Sequence, residues 1–242
     1  MNNRFICFLL ESQLIILLII TLLLIKIYKM LKQDEKNSTV PDKNNINKEE
    51  ARKQKIGEIG EIETQLILEK VPGKTWFLKN LYINCNNGQK TEIDLIMLHT
   101  SGIYVIESKN FKGWIYGKEE DMKWCQVFNK KHKNFFYNPI RQNQNHIKNL
   151  IEAMGTEPIN TKIIYSVIVF SDDCELVNIN WNERHTFVTQ RKKLLEILKD
   201  KLNQEIYQEK VLEELYYKLL PYCNASEEEK EKHIEYIKNR YK

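Results

Sequence analysis

The sequence predicts an α/β fold: a mixed central sheet flanked by helices, preceded by one N-terminal transmembrane helix. Three observations carry that reading. Residues Glu92 to Lys109 (E-I-D-L-I-M-L-H-T-S-G-I-Y-V-I-E-S-K) alternate as two strands around a tight turn at Thr100-Ser101-Gly102. Thr161 to Phe170 (T-K-I-I-Y-S-V-I-V-F) has the continuous apolar character of a buried strand. Helical-period runs lie on both sides of these strands, and Phe5 to Ile25 is apolar for long enough to span a hydrocarbon core.

With 242 residues, 42% of them hydrophobic, the chain has room for one sizeable domain with attachments. The formal charge of +4 permits an acidic partner without demanding one. Five scattered cysteines with no C-x-x-C suggest neither a disulfide framework nor a zinc site, and fit reduced thiols in a cytosolic domain.

In chain order, the apolar run contains Glu11, which must sit near one interface. Lys26, Lys29 and Lys32 follow it where a signal peptide would carry small residues, so an uncleaved anchor is expected. Those lysines outweigh Arg4 and place the bulk of the chain on the cytoplasmic side. Residues 1–32 thus read as a single-pass anchor with a basic flank, with the lipid bilayer as partner of residues 5–25. Residues 33–47 read as a polar linker, 48–190 as the folded domain and 191–242 as a helical extension packed on it.

A helix is expected from Lys48 to Lys70, with Ile59, Ile62 and Leu66 toward a core and Glu58, Glu61 and Gln65 as a neighbouring stripe. Gly57 and Gly60 each weaken such a helix by roughly 1 kcal/mol, which implies close approach of another element. Glu61 taken alone also fits an ordinary exposed glutamate. Strand signals follow at Thr75 to Ile83, in the central hairpin, near Trp114 to Tyr116 and at Lys123 to Val127. In K-K-H-K-N-F-F-Y-N-P, Lys130, Lys131 and Lys133 beside aromatics suit gripping phosphates and stacking bases, with Arg141 just beyond. The same run also fits a solvated loop anchored by Phe135 and Phe136.

Asn138-Pro139 starts a helix, with Asn as cap and Pro at the first position. It carries Arg141, Gln142, Asn145 and His146 and an apolar stripe of Ile147, Leu150 and Ile151. Thr186 to Val188 is a short strand. Leucines 194, 195, 198 and 202, then 212, 215 and 219, mark two amphipathic helices, and Ser226-Glu227-Glu228-Glu229 opens a last charged one.

The hairpin carries the chemistry. A two-residue loop would pair His99 with Gly102, Asp94 with Glu107 and Glu92 with Lys109, whereas a three-residue loop would shift the pairing by one and spoil it. Carboxylates directly across a ladder repel. A divalent cation between them reverses that sign, because hard cations take carboxylate oxygens. A solvated hairpin is the plain alternative, but I-Y-V-I before Glu107 looks covered on both faces.

The order G-E-x-G-E on a helix, an aspartate on a strand, a strand ending E-x-K, then N-P-x-x-Q on a helix resembles the NERD (nuclease-related) domain. That domain is similar to the PD-(D/E)XK nucleases. The likeness runs from about Gly57 to Leu150, and G-I-Y-V-I-E-S-K-N-F-K-G-W-I-Y-G is its most distinctive stretch. It implies a restriction-endonuclease-like core with a metal site at Asp94 and Glu107, joined by Glu61, with Lys109 as the catalytic lysine and Gln142 as the later helix's glutamine. Ile93 stands where the superfamily's name has proline. Lys130, Lys131, Lys133 and Arg141 are the expected substrate contacts.

Phosphodiester hydrolysis needs charge neutralised on the phosphate and hydroxide made near neutral pH, which Mg²⁺ supplies and Mn²⁺ can imitate. The expected activity is therefore membrane-anchored, metal-dependent cleavage of DNA. The alternatives are a nucleic-acid-binding module of the same fold that does not cut, and a tethered scaffold for a protein partner. Lys109 also fits a simple salt bridge to Glu92.

Overall fold

A computed structural model describes residues 43–85, 89–128, 132–155, 163–182 and 184–223. The expected anchor at 5–25, Lys130, Lys131 and the helix after Ser226 lie outside the described residues. Among the described residues, no helix is long and apolar enough to cross a membrane. The chain divides into two units, Met1–Lys55 and Ile56–Lys242, and the sheets and site residues belong to the second.

Helix α1 (Lys43–Leu68) begins inside the expected linker and is followed by β1 (Thr75–Asn84), β2 (Lys90–His99) and β3 (Gly102–Lys109). Three short strands come next: β4 (Gly113–Lys118), β5 (Lys123–Phe128) and β6 (His132–Tyr137). Helix α2 (Pro139–Met154) leads to β7 (Ile164–Phe170), β8 (Cys174–Asn180) and β9 (Thr186–Gln190). A 3-10 turn (Arg191–Lys193), α3 (Leu194–Leu202), α4 (Glu209–Leu219) and a last 3-10 turn (Leu220–Cys223) complete the described chain.

The central sheet has the order β1-β2-β3-β7-β9, antiparallel through β3 and parallel beyond it. Leu150 and Met154 of α2 and Leu212, Leu215 and Leu219 of α4 pack on Ile96, Leu98, Ile103 and Val105 at one face. Leu68 of α1 and Leu194 and Leu198 of α3 pack with Leu95, Met97, Tyr104 and Ile106 at the other. The sheet is therefore covered on both sides, as its unbroken apolar strands require.

The hairpin has the two-residue turn, with His99 opposite Gly102. Gly102 has φ 154°, and a Cβ there would lie 2.7 Å from the Tyr165 ring. His99 closes the turn by bonding Ser101 Oγ at 2.6 Å and the Pro72 carbonyl at 3.0 Å. Strict alternation along β2 does not hold. Ile93 packs in the cluster of Ile96 and Leu98 instead of with Leu95 and Met97. Leu78 and Leu81 in β1, also three apart, share that cluster. The strands flip where Asn80, at φ 49°, lies between these pairs.

The packing face of α1 also differs from expectation. Ile62 is 48% and Leu66 50% exposed, while Gly60, Thr64 and Leu68 are buried. Arg191 determines this: its guanidinium donates to the Gly60 carbonyl, Thr64 Oγ1 and the Glu63 carboxylate, at 3.3, 3.3 and 2.7 Å. A Cβ on Gly60 would lie 3.0 Å from Asn110 Cβ, so this glycine does mark a close approach; Gly57 has nothing within 4 Å.

A second sheet, β6-β5-β4-β8, includes two strands the sequence did not reveal, β6 and β8. Its inner face packs Ile115 and Trp124 against Ile140, Ile168 and Phe170. A Cβ on Gly117 would fall 2.2 Å from Cγ of the Trp124 ring. Gly117→Ala should therefore overpack this face and destabilise the fold by about 1–3 kcal/mol. A urea midpoint equal to that of the parent chain would contradict this packing.

Candidate functional site

Strand β3 runs buried from Gly102 to Glu107 and ends on two polar side chains pointing to the α2 side. The β2–β3 ladder stops at Leu95↔Ile106, one step short of Asp94 and Glu107, which are next in the same register. Beyond that step the Ser108 amide donates to Asp94 Oδ2 at 2.9 Å.

Glu107 is 1% exposed. Burial raises its pKa, but the Lys109 ammonium, followed by the His146 ring, outweighs burial and holds the carboxyl below its usual range. Lys109 Nζ lies 2.5 Å from Glu107 Oε1 and donates to Gln142 Oε1 at 3.3 Å. His146 Nε2 lies 3.2 Å from Glu107 Oε2, yet neither atom has a well-aligned hydrogen-bond partner. The other ring nitrogen of His146 is 2.8 Å from Thr91 Oγ1. A neutral imidazole would accept from that hydroxyl and aim its Nε2–H at the carboxylate.

Helix α2 brings Gln142 and His146 to Glu107 because residues four apart lie on one helical face. Asn138 caps it, accepting from the Ile140 amide at 2.9 Å, with Pro139 at its start. Asn143 pins it to the sheet by donating to the Val105 carbonyl at 2.8 Å and Ser166 Oγ at 3.0 Å.

The remaining carboxylates make the site electrically unusual. Burial, then the charges of Glu107 and Glu61, push Asp94 well above its ordinary pKa, against the pull of Lys109 and the Ser108 amide. Burial, then Glu92, Glu107 and Glu58, push Glu61 up to about 7. Asp94, Glu107, Lys109, Gln142 and Glu61 are thus brought together.

Arg141 is directed elsewhere and donates to the Glu119 and Glu120 carbonyls at 3.4 and 2.7 Å. Lys133 lies exposed on β6. Thr91, Asn143 and His146 were missed as site residues. The spacing of His146, four residues after Gln142, was the available signal.

The donor set suits a hard divalent cation. Three carboxylates repel one another here, and Glu107 Oε2 is a buried oxygen without an aligned donor. Among the described residues, no three His, Cys, Asp or Glu side chains form a ready-made metal cage. An ion anchored by one or two carboxylates and keeping several waters, as Mg²⁺ usually does, fits that arrangement.

Residues 56–171 match the nuclease-related domain family (NERD). An uncharacterized protein of Bacillus anthracis (pXO1-01) is 28% identical over 187 residues, covering 76% of this chain and 85% of that protein. The crystal structure of AF1548, a protein of unknown function, is 15% identical, with a TM-score of 0.33 over 76% of this chain and 97% of its own.

The raised Glu61 pKa sets a pH signature. Between its ordinary 4.5 and about 7, the folded chain keeps a proton that the unfolded chain has lost, so stability falls as pH rises through that window. In chelator, Glu61→Gln should raise the urea midpoint near pH 8 and leave it unchanged at about pH 4. An equal effect at both values would show that Glu61 does not feel the other carboxylates.

Proposed function

We propose that this chain, whose residues 56–171 are a nuclease-related domain, hydrolyses phosphodiester bonds of DNA with Mg²⁺ or Mn²⁺ while tethered to a membrane. The observation that carries the reading is a carboxylate 1% exposed, Glu107, held ionised beside Lys109 and close enough to Asp94 to raise its pKa.

Asp94 and Glu107 would hold the metal, with Glu61 as third acid or as partner of a coordinated water. When bound, the ion supplies charge neutralisation at the phosphate and water activation near neutral pH. The chain's own groups do the rest. Lys109, steadied by Gln142, places a positive charge where negative charge develops on the phosphate. Thr91 fixes the His146 ring, and the ring orients Glu107, an outer partnership of the kind that sets how a carboxylate presents its oxygens.

A binding module that does not cut has one observation in its favour: Lys109 already occupies one oxygen of Glu107. Metal binding would have to share or displace that contact. The cleavage assay separates the two readings. The full-length chain in mild detergent should nick plasmid DNA with Mg²⁺ or Mn²⁺ and stop in chelator. Asp94→Ala and Glu107→Gln should fall to background, and His146→Ala and Thr91→Ala should lose about 10–100-fold. Activity surviving both carboxylate changes would reject the site; salt-dependent binding with no cleavage in either metal would leave the module.

The apolar run Phe5 to Ile25 with lysines 26, 29 and 32 behind it supports the tether, with the domain on the cytoplasmic side. The full-length chain should stay in the membrane pellet through alkaline carbonate extraction. Release into the supernatant would dismiss the anchor.

A further inference from the structure

The second sheet has an outer face that the catalytic reading does not use. Alternation along its strands sends Ile115, Trp124 and Phe136 inward, where they pack in one cluster. The same alternation puts Trp114 and Tyr116 of β4, Cys125 and Val127 of β5, and Lys133, Phe135 and Tyr137 of β6 on the opposite face. The register lines these up in rows. Trp114, Val127 and Lys133 lie side by side, then Tyr116, Cys125 and Phe135, then Lys123 and Tyr137. Directly opposed side chains on neighbouring strands are about 5 Å apart at Cβ, and successive rows are about 7 Å apart along the strands.

Four aromatic rings therefore share a short stretch of sheet. Phe135 is 64% exposed, and Lys123 and Lys133 are exposed at its border. The acid beside the face, Glu175, is engaged by Trp114, whose indole N–H donates to it at 3.0 Å. Three residues, Asn110, Phe111 and Lys112, separate β4 from Lys109 at the candidate site. That spacing holds the backbones of Lys109 and Gly113 within about 14 Å.

We propose that this outer face is a stacking platform for single-stranded nucleic acid, with Trp114, Tyr116, Phe135 and Tyr137 receiving bases and Lys123 and Lys133 meeting phosphates. Three features select that occupant. Rings on a rigid sheet offer flat apolar faces, and every base has a matching face once it is unstacked. Lysines alongside them complement a backbone of phosphates and disfavour an uncharged partner. A duplex keeps its base faces stacked inside and presents nothing for these rings. The proposal rests on nucleic acid being the substrate, but not on cleavage.

The test is binding in chelator. The full-length chain, in mild detergent, is titrated with a fluorescein-labelled oligothymidylate of roughly twelve nucleotides, within the usual footprint of such surfaces. The single strand should bind well ahead of the matching duplex and quench tryptophan emission. Trp114→Phe should keep binding but lose much of the quench. Phe135→Ala should weaken binding about tenfold, and Phe135→Trp should restore it. Replacing Lys123 and Lys133 together by Gln should lower the slope of log affinity against log salt by about 1.4.

Equal affinity for single strand and duplex would overturn the platform, as would unchanged binding in Phe135→Ala and the lysine pair. So would a dimer, seen by sedimentation, that Phe135→Ala dissolves while oligonucleotide binding stays the same. Oligonucleotide binding that ignores all of these changes, with plasmid cleavage intact, would dismiss the platform and leave the carboxylate site standing. Strand binding without cleavage in any metal would do the opposite.

Discussion

A charged carboxylate at the end of a fully buried strand is the constraint on which the rest depends. An ion taken out of water costs several kcal/mol unless it is paired and hydrogen-bonded. Glu107 meets that cost with Lys109 on one oxygen and the His146 ring facing the other. Lys109 comes from the same strand, whereas the second oxygen is faced from outside it, by His146 of α2. Gln142 steadies the lysine, and Thr91 on β2 holds the far side of the imidazole. The neighbouring acids are not compensated in the same way: burial and the charges of Glu107 and Glu61 push Asp94 toward its neutral form, and burial with Glu92, Glu107 and Glu58 does the same to Glu61. The site is short of positive charge, and that shortage is what a hard cation would relieve.

The second sheet belongs to the same argument through Asn138. Its Oδ1 caps α2, while its Nδ2 donates to the carbonyls of Lys118, Glu119 and Asp121 at 3.0, 3.0 and 2.7 Å. One side chain thus ties the β4–β5 turn to the start of the helix that carries Gln142 and His146. Arg141 reinforces the tie from the next turn of helix. Arg141 is thus a brace between the two, although its sequence position suggested contact with substrate.

Much of the hairpin was legible because its signals are local. A period of two, a turn glycine and covered strands specify register without reference to the rest of the chain. The α2 cap was legible for the same reason. What the sequence concealed depends on distant residues. The flip near Asn80 requires a backbone conformation that no pattern announces. Ile62 and Leu66 follow helical spacing, yet Arg191, more than a hundred residues later, claims the other face of α1. Strand β6 reads as a basic run because only one of its faces is apolar enough to bury, and its two phenylalanines separate: Phe136 joins the core and Phe135 faces outward. His146 was visible as a letter and silent as a role, since only the fold brings Thr91 and Glu107 to its two nitrogens.

The most direct measurement is a Mn²⁺ soak of crystals of this chain, with anomalous scattering used to locate the ion. The account predicts one peak about 2.1 Å from carboxylate oxygens of both Asp94 and Glu107, with Lys109 drawn off Glu107 Oε1 or sharing it. A peak elsewhere, or none at saturating Mn²⁺, with the Lys109–Glu107 pair intact, would contradict it.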